Sequence, residues 1–138
     1  MSDRSAHIIS AFRSIVSPRG SELAGYKLHE LAAPIIKKLL HHASLEADQI
    51  DEIIVSNALG AGGNPARLVA LASGMPERVA GLSIDRQCCG GLDALGLAQA
   101  MIQAGHAEAV LQRPRQSGKG QWVQRSDLSS LTPQLQSS

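Results

Sequence analysis

An α/β fold with a mostly parallel sheet is predicted for this 138-residue chain. Three observations predict it. Short β-branched apolar runs alternate with longer stretches of helical period, in the order β-α-β-α-β-α-β. The run at 50–55 is short, β-branched and apolar toward its end, as a buried strand is. Hydrophobic residues make up 43% of the chain but aromatics only 2%. The core must therefore be built from Leu, Ile, Val and Ala, and one domain of ordinary size is expected.

The first strand is Ala6-His7-Ile8-Ile9-Ser10-Ala11-Phe12. A polar loop follows, punctuated by Pro18, Gly20 and Gly25. Leu28, Leu31, Ala32, Ile35 and Leu39 recur at three- and four-residue spacings, and Ile36 and Leu40 widen the stripe. A core-facing helix is predicted over 28–43, with Pro34 near its front, where a missing N–H costs least. Ile50-Asp51-Glu52-Ile53-Ile54-Val55 reads as a buried strand. Asn64-Pro65 supplies an N-cap residue followed by proline at the first helical position, so a helix runs through 67–73 and stops at Gly74 and Pro76. Val79 to Ile84 is the third strand. Residues 91–104 are apolar almost all round, with Asp93, Gln99 and Gln103 as the only strongly polar positions, which predicts a buried helix ended by Gly105. Residues 107–111 complete the series as a fourth strand.

At Gln112 the character changes. Residues 112–138 hold six Gln and six Ser, and neither a period of two nor one of 3.6 is evident. The segment reads as a disordered or loosely attached tail, which divides the chain into 1–111 and 112–138. Charge divides at the same place. Residues 1–111 carry a net −2 and the tail +3. The body therefore has no basic surplus for nucleic acid or anionic lipid, and too few aromatics to stack bases. No run approaches the ~20 apolar residues of a membrane span, and the N-terminus lacks a signal peptide's apolar core. Cys88 and Cys89 are adjacent and cannot staple a fold, so a reducing, cytoplasmic setting is expected.

Those cysteines stand at the junction of the third strand and third helix, in Ser83-Ile84-Asp85-Arg86-Gln87-Cys88-Cys89-Gly90-Gly91-Leu92-Asp93. A helix start carries unpaired N–H groups and the positive end of the dipole, which favour a thiolate. Gly90 and Gly91 would let the backbone approach a substrate, with their N–H groups free to face an oxyanion. No base for proton transfer lies nearby in sequence. Spacing alone leaves open which cysteine acts, and whether the thiols are only small core fillers or a strained redox pair.

The stretch Ile84 to Leu92 resembles the nucleophile motif of the thiolases, approximately Val-Asn-Arg-x-Cys-x-Ser-Gly-Leu-x-Ala. Three further segments match in register. Ser10-Ala11-Phe12-Arg13-Ser14 is similar to the family's opening strand and Arg-Thr turn. Gly63-Asn64-Pro65-Ala66-Arg67 is similar to the loop before its second helix, and Ile102 to Glu108 to the segment after its buried helix. The resemblance spans roughly residues 6–111 and implies a partial first half of a duplicated α/β/α/β/α architecture. It makes Cys88 the catalytic, acyl-accepting nucleophile and Cys89 its variable neighbour. Acyl-CoA and CoA are then substrates, with no cofactor or metal, no nucleic-acid or membrane partner, and a homo-oligomer for the intact family.

This chain departs from the motif at Asp85, in place of Asn, and at Gly90, in place of Ser. After the fourth strand the family continues with a Gly-Gly-x-Glu-Ser type turn, whereas here Gln112-Arg113-Pro114-Arg115 follows. The family's His motif and second catalytic cysteine have no counterpart in these residues. The resemblance thus implies a truncated, inactive thiolase. A non-catalytic fragment that associates with a full-length subunit is one alternative, and a ketoacyl-synthase-like condensing enzyme another. Other residues read plainly. Gly60-Ala61-Gly62-Gly63 lacks the ending of a phosphate loop, and His41-His42 point to different faces, unsuited to a shared metal. Trp122 is an incidental tail residue.

Overall fold

A computed structural model describes residues 4–15, 18, 20–58, 62–113 and 121–125. Its elements are β1 (His7–Phe12), α1 (Leu28–His42), β2 (Glu52–Ser56), α2 (Pro65–Ala72), β3 (Ala80–Ile84), α3 (Gly90–Gln103), β4 (Ala109–Arg113) and β5 (Gln121–Arg125). Each helix and strand expected up to residue 111 is found, with ends displaced by one or two positions. Ile50 remains in the core as expected, but a 3-10 turn at Ala47–Gln49 precedes it and the strand starts at Glu52.

The sheet order is β1-β5-β4-β2-β3. β2 pairs in parallel with β3 on one side and β4 on the other. Strand alternation sorts the core into two layers. Ile53, Val55, Ala109 and Leu111 face α1 and α2, where Ala32, Ile36, Leu39, Ala66 and Val69 meet them. Ile54 and Val110 face α3 and its Ala94, Ala98 and Ile102. The result is a three-layer α/β/α arrangement, the fold class read from the sequence. The aliphatic composition suits it, because small side chains let helices lie close to the strands.

Four expectations need correction. The expected boundary after Leu111 falls inside β4, which runs on through Gln112 to Arg113. Within the segment read as a loose tail, Gln121–Arg125 forms β5, antiparallel to both β1 and β4. Two ladders at once satisfy its backbone, so it needs no strong period of its own. The rest of that segment lies outside the described residues. Pro34 stands in the second turn of α1 rather than the first, so it removes the N–H that the Glu30 carbonyl would have received. Finally, α3 is not buried all round. Ala94, Ala98 and Ile102 are covered by the sheet, while Leu92 is 73% exposed.

The start of α2 is tied to β3 through side chains. Asn64 Oδ1 accepts from the Arg67 N–H at 3.1 Å, the N-cap bond expected there. Its Nδ2 donates to the Gly81 carbonyl at 2.7 Å, and Ser83 Oγ donates to Asn64 Oδ1 at 2.6 Å. Arg67 Nη1 donates to the Val79 carbonyl at 2.7 Å. The segment 63–67 therefore fastens the strand whose end leads to the cysteines.

Candidate active site

β3 ends at Ile84, and a single 3-10 turn over Gln87–Cys89 joins it to α3. Both thiols are free and exposed on this turn. Gln87, immediately before Cys88, has φ +50°, a left-handed conformation that a side chain makes costly. Asp85 holds it there. Its Oδ1 accepts from the Gln87 backbone N–H at 3.1 Å and from Gln87 Nε2 at 3.2 Å. Asp85 thus departs from the motif's Asn but keeps the side-chain oxygen that a turn of this kind needs. Across the turn, Arg86 Nε lies 3.1 Å from Asp93 Oδ2, an ion pair that links the strand's exit to the first turn of α3.

The helix start offers less to an oxyanion than the sequence suggested. The Gly90 N–H already donates to the Gln87 carbonyl, and the Cys89 N–H to that of Arg86. Gly90 is also buried rather than open to a substrate. Its backbone is ordinary helix, φ −58° and ψ −29°. The need for glycine there is spatial, because a Cβ would fall on the Ser56 side chain at the end of β2. Sequence reasoning missed Ser56. The departure from serine at position 90 was the available signal, but only the fold shows what occupies the space.

Among the described residues no group of three His, Cys, Asp or Glu side chains is placed to hold a metal. No helix of the described residues is long and apolar enough to cross a membrane. Two of the histidines have their contacts elsewhere. His42 Nδ1 and Ser10 Oγ are 3.2 Å apart, and the His42 ring meets Phe12 edge-on at 5.0 Å. His29 lines a cavity of ≈ 460 Å³ with Tyr26, Asn57, Pro65 and Leu68, separate from the residues of the cysteine turn. A thiol displayed on a strained turn, anchored by an Asp and an ion pair, can accept an electrophile. The nearby carboxylates are engaged elsewhere, Asp85 with Gln87 and Asp93 with Arg86.

Comparison with known proteins gives a consistent picture. The profile of the thiolase N-terminal domain matches residues 6–113. An acetyl-CoA acetyltransferase of Pseudomonas aeruginosa is 38% identical over 106 residues, which are 75% of this chain and 27% of that protein. A Bacillus subtilis protein with a provisional acetyl-CoA C-acetyltransferase name is 48% identical over 100 residues, 72% of this chain and 27% of the relative. Among solved structures, the Bacillus anthracis acetyl-CoA acetyltransferase superposes with a TM-score of 0.77 at 32% identity, over 80% of this chain and 29% of that one. The chain spans about a quarter of the length of the curated relatives it matches.

Proposed function

This chain belongs to the thiolase family, and from that premise we propose that it carries the acyl-accepting cysteine of an acyl-CoA C-acyltransferase. The observation that carries the reading is Cys88, exposed on the turn between β3 and α3 at the position the family's motif gives its nucleophile. In the proposed step the Cys88 sulfur attacks the thioester carbonyl of an acyl-CoA. A new S–C bond forms, the bond from carbonyl carbon to CoA sulfur breaks, and the thiol proton ends on the released CoA. A second acyl-CoA, as its carbanion, would then take the acyl group from Cys88, or CoA would take it in the reverse, degradative direction. Acyl-CoA and CoA are the proposed substrates. The chain is expected to occupy the cytoplasm, and the intact family to work as homo-oligomers.

The two steps have different requirements. Acylation needs an exposed nucleophile and a thioester. Carbon–carbon bond formation also needs a group to remove a proton from the second substrate, and general acid–base help of that kind contributes about 10²–10⁴-fold. The carboxylates of this turn are already engaged, Asp85 with Gln87 and Asp93 with Arg86. The 138 residues are therefore proposed to accept an acyl group without turning over. Incubation with acetyl-CoA followed by peptide mass analysis tests the first step. Acetylation at Cys88 that disappears in Cys88→Ala is expected, and labelling of Cys89 alone would sink the assignment. The cleavage of acetoacetyl-CoA tests the second. Turnover by the purified chain that Cys88→Ala abolishes would refute inactivity.

A further inference from the structure

Ser56 closes β2 and is 3% exposed, and in the parallel register it pairs with Ile84. It stands directly under the first turn of α3. A Cβ built on Gly90 would fall on Ser56 Oγ and lie 2.9 Å from Ser56 Cβ. Rotating the serine would move its hydroxyl but not its Cβ, and carbon atoms in contact prefer about 3.5–4.0 Å. One seryl volume thus fills the space between the strand end and the helix start. The thiolase motif that this chain resembles places a serine at position 90. Here the strand supplies the serine and the helix supplies the glycine.

We propose that Ser56 is a positioning residue for Cys88, and that positions 56 and 90 are steric alternatives of which one must be glycine. The part concerning Cys88 rests on the function proposed above. The coupling has a covalent and hydrogen-bonded route. Gly90 donates its N–H to the Gln87 carbonyl, and Cys89 donates to that of Arg86, so the 3-10 turn bearing Cys88 is continuous with the helical turn seated on Ser56. A side chain forced in at position 90 lifts that turn and displaces the thiol with it. Emptying position 56 lets the turn settle. Filling position 90 at the same time restores the spacing.

The test compares the parent chain with Ser56→Gly, Gly90→Ser, the double variant Ser56→Gly/Gly90→Ser, and Ser56→Ala/Gly90→Ser. Stability is read by urea unfolding. The site is read by the rate and pH profile of iodoacetamide alkylation, with Cys88 and Cys89 separated by peptide mass. Gly90→Ser alone is expected to lower the folding equilibrium constant about tenfold or more, as overpacking of a close-packed site does. It should also change the Cys88 rate several-fold. The Ser56→Gly/Gly90→Ser chain should recover both properties. Ser56→Ala/Gly90→Ser should not, because alanine keeps the Cβ that collides. A double variant no better than the product of its singles overturns the proposal, and so does a Cys88 rate that stays constant while stability varies. If Gly90→Ser fails to fold, the comparison of Ser56→Gly with the double variant decides. Serine at 90 must then be tolerated, and a further loss of stability overturns the idea. Restored alkylation in chains that acetyl-CoA never acylates would refute the acyltransferase reading and leave Ser56 in its role.

Discussion

A methyl group added at Gly81 would lie 2.5 Å from the Arg67 nitrogen and 2.8 Å from the Ala66 carbonyl carbon. These are backbone atoms of α2, held by the Asn64 and Arg67 bonds, and they cannot swing aside. Gly81→Ala is therefore expected to destabilise the chain by about 1–3 kcal/mol, seen as a lower urea midpoint. An unchanged midpoint would mean that α2 does not sit on β3 as described. Glu52, at the start of β2, carries a different cost. Partial burial removes water from its carboxylate and raises its pKa above the ordinary glutamate value. The native state then holds its proton to higher pH than the unfolded chain does. The contribution of Glu52 to stability is most favourable below the unfolded pKa and declines as pH rises through the native one. Glu52→Gln should flatten that decline and raise the neutral-pH midpoint relative to the acidic one. A decline of the same size in the variant would assign the slope to other groups. At this scale the motif residues were legible and their contacts were not. Cys88 could be selected from the chain, whereas the partner that makes Gly90 necessary lies 34 residues away.

Elements were legible where their hydrophobic period was strong. α1 was visible from its three- and four-residue spacing, and α2 from Asn64-Pro65, since both signals are local. α3 misled because composition reports what a helix could bury, not what covers it. Its Ala94, Ala98 and Ile102 face the sheet, and the opposite side stays open. β4 is the least consistent element. Gln112 is 1% exposed, in register with Ile54 on the α3 side, and neither polar atom of its amide has a hydrogen-bond partner among the described residues. An orphaned buried polar group costs about 1–3 kcal/mol, so Gln112→Leu should raise stability by an amount of that order. Urea unfolding measures it, and a loss of stability would show that the amide is satisfied in solution. β5 was not legible at all. Its five residues are polar or mixed, and pairing with two neighbours, which defines it, is a non-local property.

For the whole molecule β5 is the strand that joins β1 to the remainder of the sheet, standing between β1 and β4. Removing residues 114–138 would take away the strand that flanks β1 in the sheet. The shortened chain is expected to unfold at lower urea, with amide exchange of residues 7–12 accelerated more than that of β2. Equal protection of β1 in both chains would show that β5 contributes nothing to it. The sequence by itself determined the α/β class, the order of elements up to residue 111 and the family. Each of these rests on local period or on a motif of neighbouring residues. Only the tertiary structure decided that β5 completes the sheet, that α3 is covered on one side, and that Ser56 fills the place of a side chain at 90. Those depend on contacts between residues far apart in the chain, and no local pattern records which distant segment will fill a given space.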